Sequence, residues 1–232
     1  MSLSDELAER VLSAIIDGTY PPGTALPPEG ELAEQYSVSR LTVREAVKAL
    51  RVQNIVRIQR GRGTYVTPPA QWTALDPMIR AVAATPRSSG AISESLIEAR
   101  RMIEVGAVEL AAGKRTEDDL EQLRVLLEDM REAVETGDVD VFVEADVAFH
   151  DTIMRASGNA FIPLMFEPFG RLLIEGRRET SSVPEIRANA LAHHGHILRA
   201  LETGDPALAR KAMEDHMGQT ADDLRTHVLD GD

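Results

Sequence analysis

Asp146 and His150 stand four apart in VEADVAFHDTIM, so on a helix they share one face. At about 100° per residue, with Phe142 at zero, Asp146 falls near 40° and His150 near 80°. The apolar stripe of Phe142, Val143, Val147, Phe149, Ile153 and Met154 centres near 60°. A carboxylate and an imidazole therefore sit mid-stripe, where an unpaired charge is costly and needs a partner. In ALAHHGHILRAL, His194 lies about 5° from the stripe of Leu191, Ile197, Leu198 and Leu201. His193 and His196 lie roughly 105° and 165° away, lateral or outward. His216 lies close to the stripe of Leu208, Ala209, Ala212, Met213, Met217 and Leu224. Taken singly, each histidine reads as a core side chain bonded to a backbone carbonyl. Three inward histidines and one inward carboxylate on three helices read as a metal site. Zinc leads, and nickel, iron and manganese suit the same donors. Such a set leaves one or two positions open for water or a ligand carboxylate.

A second chemistry lies in VSRLTVREAVKAL at 38–50, a helix-forming run whose first turns carry Arg40, Leu41, Thr42 and Arg44. The second helix of a helix-turn-helix offers its N-terminal residues to base edges in the major groove. Arginine there can grip guanine with two hydrogen bonds or clamp phosphate. Farther on, Arg60 and Arg62 flank Gly61, a side-chain-free tip suited to a narrow minor groove. The plainer alternative is a solvated amphipathic helix.

The elements that must position these residues follow from periodicity and breakers. Helices are expected over 4–17, 29–36 and 39–51, with Ser39 as an N-cap, then two short strands around RGRG. That is a winged helix-turn-helix over residues 1–67. TPPAQ opens a linker, placed at 68–74, and residues 75–232 read as helix. Helices are expected at about 74–84, 91–112, 117–136, 139–156, 160–178, 185–203 and 206–228. Gly-Asp pairs at 137–138 and 204–205 mark two of the breaks. The expected fold is mostly α, a winged helix-turn-helix domain followed by an antiparallel helical bundle.

The 232 residues carry 25 Lys+Arg and 38 Asp+Glu, a net charge of −13. Residues 1–67 hold eight basic and eight acidic side chains, with the basic ones concentrated between 40 and 62. The whole imbalance lies beyond residue 67, so the acidic surface keeps the bundle off DNA while a local basic face remains. Absence of cysteine excludes disulfides and thiolate metal sites. The acidic, amphipathic N-terminus is no signal peptide, and no apolar run reaches the roughly 18 residues of a membrane span. These features suggest a cytoplasmic protein with no membrane partner.

Residues 7–66, with I-x-x-G-x-x-P-P-G-x-x-L-P, E-L-A-E-x-Y-x-V-S-R-x-T-V-R-E-A-V and G-x-G-T-Y-V, resemble the GntR-type winged helix-turn-helix. The resemblance implies that Arg40, Thr42 and Arg44 contact DNA and that Gly61 forms the wing tip. Gly30 departs from it, since the family usually carries a basic residue there. The remainder resembles the ligand-binding domain of the FadR branch, through LIEARRMIEVGAVELAA, DVDVFVEADVAFHDTIMRASGN, HHGHILRALETGD and ARKAMEDHM. There the resemblance selects Asp146, His150, His194 and His216 as metal ligands, the four the wheel selects. It departs at His193, where the family often has Glu. It further implies effector contacts from Arg100 and Asn159. The alternatives are, for Arg100, an i, i+4 pair with Glu104 on a solvated face, and, for Asn159, a helix cap.

The combined expectation is a homodimeric repressor that binds an inverted-repeat operator in double-stranded DNA. A small carboxylate effector at the metal, with a sugar acid suggested by WTALDPMIRAVA, would control it. The alternatives are a metal-dependent hydrolase on a DNA anchor and a metal-free acyl-CoA sensor. The hydrolase needs a general base beside the metal water. No inward Glu or His suggests itself besides Asp146, already a ligand.

Overall fold

Ser2 caps the first helix, α1 (Leu3–Ile16), in a reciprocal capping box with Asp5. The computed structural model describes residues 2–84 and 89–229. Helix α2 (Glu29–Gln35) turns into α3 (Arg40–Val52) through Ser37, which adopts a left-handed backbone at φ 54°. Strands β1 (Val56–Gln59) and β2 (Gly63–Val66) pair antiparallel, Val56 opposite Val66 and Gln59 opposite Gly63. Leu7, Leu12, Leu32, Val43, Leu50 and Ile55 centre a core that also buries Trp72.

Helix α4 (Leu75–Ala83) packs Met78 and Ala81 on that same core, and Arg80 pairs with Glu9 of α1 at 2.9 Å. The chain accordingly divides into units Met1–Pro86 and Arg87–Asp232, rather than at a linker over 68–74. The expected linker is instead anchored: Trp72 Nε1 donates to the Thr67 carbonyl at 3.1 Å.

The second unit contains helices and no strand among its described residues: α5 (Ser89–Lys114), α6 (Glu117–Thr136), α7 (Val139–Ala156), α8 (Phe161–Phe166), α9 (Gly170–Ser181), α10 (Pro184–Thr203) and α11 (Pro206–Leu224). Gly137 and Gly204 end α6 and α10 at φ 76° and 72°, and Asp138 and Asp205 cap the helices that follow. Phe142, Phe149 and Ile153 of α7 pack with Leu123 and Met130 of α6, Ile197 and Leu201 of α10, and Met213 of α11. The single helix expected over 160–178 is broken into α8 and α9 by a 3-10 turn at Glu167–Phe169. Pro168 lacks the amide proton a continuous helix requires, and its ring disfavours helix at the residue before it. Among the described residues no helix is long and apolar enough to cross a membrane.

Candidate metal centre and nucleic-acid interface

Asp146 and His150 of α7, His194 of α10 and His216 of α11 all face the bundle interior and are buried. Each of the three histidines offers a nitrogen within 4.8 Å of the others. His194 Nε2 lies 3.2 Å from His150 Nε2 and 3.0 Å from Asp146 Oδ1, and His150 Nε2 lies 3.8 Å from that oxygen. The far nitrogens have partners of their own. His194 Nδ1 donates to the Ala190 carbonyl one turn earlier at 2.6 Å. His150 Nδ1 lies 2.5 Å from Glu104 Oε2. Both rings thus carry their proton on Nδ1 and turn a lone pair on Nε2 toward the centre. Two lone pairs and a carboxylate oxygen then converge with no proton to share, an arrangement that a divalent cation relieves.

Burial keeps His150 and His216 neutral and ready to ligate. It pushes His150 down to about 4 despite Glu104 beside it. Burial, with His194 and His150 adjacent, holds His216 well below the usual histidine range. Burial would raise Asp146, but the Arg177 guanidinium beside it holds its carboxyl well below an ordinary aspartate. Burial likewise opposes ionisation of Glu104, yet Arg100 and His150 hold its carboxyl below the usual carboxylate range.

Two groups here escaped the sequence reading. Glu104 is fully buried, against the expectation that no further inward Glu stands near the ligands. Its i, i+4 pair with Arg100 exists, Arg100 Nε to Glu104 Oε1 at 2.7 Å, but on a buried face rather than a solvated one. Arg177 of α9 is 7% exposed and its Nε contacts Asp146 Oδ2. The available signal was its position one turn after Leu173, an inward apolar residue. Asn159, by contrast, is exposed, and its Oδ1 accepts from the Phe161 amide at 3.0 Å, capping α8 instead of lining the cluster. His193 is half-buried and His196 exposed. Buried ion pairs add little net stability once desolvation is counted, so stability alone gives no reason for Arg100, Glu104, Asp146 and Arg177 to be there.

In the first unit, Ser39 caps α3 by accepting from the Thr42 amide at 3.1 Å, and the Ser39 and Thr42 hydroxyls lie 2.8 Å apart. Thr42 is therefore half-buried in the cap, while Arg40, Leu41 and Arg44 are exposed at the same end of the helix. Arg44 Nε pairs with Glu29 Oε2 at 2.7 Å. An exposed pair of this kind contributes about 0–1 kcal/mol, little enough for phosphate or guanine to displace. The Arg40 guanidinium rests against Gly30, where a Cβ would come within 3.2 Å of Nη2. Arg40 thus fills the place above α2 that a larger residue at 30 would take. At the wing, Arg60, Gly61 and Arg62 are all exposed. Gly61 and Gly63 take φ 72° and 117°, a backbone that side chains disfavour.

Residues 3–66 match the model of the bacterial regulatory proteins of the gntR family, and residues 95–219 match the FCD domain. The chain is 31% identical to the HTH-type transcriptional regulator LutR of Bacillus subtilis (strain 168), over 90% of this chain and 95% of that protein. It is 28% identical to the galactonate operon transcriptional repressor of Escherichia coli (strain K12), over 68% of this chain and 69% of that one. Among solved structures, Streptococcus agalactiae GntR superposes with a TM-score of 0.52 at 30% identity, covering 94% of this chain and 99% of the other.

Proposed function

Because the chain belongs to the GntR family of bacterial regulatory proteins and carries an FCD domain, a transcription regulator and not an enzyme, we propose that it is a cytoplasmic homodimeric repressor whose operator binding is controlled by a small organic acid bound at a divalent metal. The observation that carries this reading is the convergence of the His150 and His194 Nε2 lone pairs on Asp146 Oδ1, with His216 adjoining. Asp146, His150, His194 and His216 would hold the ion, with zinc first among the metals these donors suit. When bound, the ion supplies an open coordination position that a carboxylate oxygen can fill. Arg100 is buried with its Nε engaged by Glu104, and its charge would be available to a carboxylate.

Glu104 does not revive a hydrolase: both its oxygens are occupied, one by Arg100 and the other by the far nitrogen of His150. Four buried charged groups also suit a small polar acid better than an acyl chain. The galactonate operon repressor among the relatives agrees with a sugar acid as effector and with repression.

In the first unit, Arg40, Thr42 and Arg44 would read an inverted-repeat operator in the major groove, and Arg60, Gly61 and Arg62 would reach the minor groove. Ligand would then alter operator affinity by a coupling between the two sites. Elemental analysis of the purified protein, followed by melting in L-lactate, D-galactonate, D-gluconate and citrate with and without chelator, tests the reading. A stoichiometric metal and an acid-specific, chelator-sensitive stabilisation are expected. A metal-free protein that neither binds added zinc nor responds to any acid would end it.

A further inference from the structure

The Arg177 guanidinium is buried, yet only its Nε is engaged: both Nη1 and Nη2 lack any hydrogen-bond partner among the described residues. A charged fork of donors enclosed and unused is costly, because desolvation is not offset. Arg100 differs, since neither of its terminal nitrogens is left buried and without a partner. The two arginines balance the two carboxylates, Glu104 and Asp146, so a divalent cation on the histidines leaves the centre with two uncompensated positive charges.

We infer that Arg177 is the specificity-determining residue for the effector: its Nη1 and Nη2 grip the acid's carboxylate side-on, while its Nε, on Asp146, ties that grip to the metal-ligand set. This rests on the reading of the site as an acid sensor. The planar fork matches a carboxylate with two parallel hydrogen bonds, which an ammonium cannot reproduce. It also explains why an arginine from α9 is spent on the outer oxygen of a proposed metal ligand: the contact leaves the two terminal nitrogens free to face a ligand.

The test is titration calorimetry of the full-length protein with L-lactate, D-galactonate and citrate, and with lactamide as the uncharged counterpart of lactate. Zinc is kept in excess so that a weakened metal site stays loaded. Wild type, Arg177→Lys and Arg177→Gln are compared, with metal content and melting recorded for each. The expected result is an affinity for the best acid at least tenfold weaker in Arg177→Lys and weaker still in Arg177→Gln, with zinc retained. The preference of lactate over lactamide should collapse in Arg177→Gln and recover in part in Arg177→Lys, a pattern that mere structural support would not produce. If zinc-loaded Arg177→Gln binds acids, and discriminates acid from amide, as the wild type does, the assignment is wrong while the acid-sensor reading stands. If the zinc-loaded wild type binds none of the acids, both fall together.

Discussion

The Nε2 atoms of His150 and His194 face each other at 3.2 Å, each ring having its other nitrogen beside an acceptor, Glu104 Oε2 for His150 and the Ala190 carbonyl for His194. Both facing atoms are thereby lone-pair donors. Asp146 Oδ1 completes the cluster at 3.0 Å from His194 Nε2. The pairing of far-side acceptors with near-side lone pairs is what separates this cluster from three core histidines that merely stack.

His194→Ala is expected to abolish stoichiometric metal, and His196→Ala to leave it unchanged, because the first side chain is buried in the cluster and the second is exposed. Metal analysis of the two purified proteins decides this. Equal loss in both would mean that the ion is held elsewhere.

Glu104→Gln keeps the shape of the side chain but removes the charge that orients His150 and pairs with Arg100. Loss of such an outer partner lowers metal affinity by about 10–100-fold. Competition against a fluorescent zinc chelator measures it. Unaltered affinity in a folded variant would show that Glu104 serves packing alone.

Arg44→Ala is expected to weaken specific operator binding by about 1–3 kcal/mol if the lost contact is bidentate to guanine. Glu29→Gln, which frees Arg44 from its ion pair, should bind as tightly as the wild type or more so. Fluorescence anisotropy at matched salt, on an operator selected in vitro by the wild type, reads both. An Arg44→Ala protein with wild-type affinity would remove α3 from the proposed interface.

An acid effector present at about 100 times its Kd adds about 2.7 kcal/mol to the unfolding free energy. That stabilisation should vanish on chelation and in Asp146→Ala or His150→Ala where these empty the site. Arg100→Ala should reduce it with metal still bound. Equal stabilisation of metal-free and metal-loaded protein would make the ion structural and move the effector pocket elsewhere in the bundle.

Residue spacing by itself determined which groups point inward. Asp146, His150, His194 and His216 were legible because angle about a helix axis follows from residue count, and the stripes on α7, α10 and α11 mark the interior. The Gly137–Asp138 and Gly204–Asp205 breaks were legible for a similar reason, since a left-handed glycine and a capping aspartate are local chemistry. Ser39 and the wing glycines belong with them. Tertiary structure decided what depends on how one helix sits along another. Glu104 and Arg177 reach the cluster from α5 and α9, and the height at which each helix meets α7 is fixed by packing that no local pattern records. The same holds for α4, whose apolar face could have served either unit until Met78, Ala81 and Arg80 met α1 and its core. Asn159 carries the right chemistry for a ligand contact, but it stands at the exposed start of α8, where its carbonyl caps a backbone amide instead.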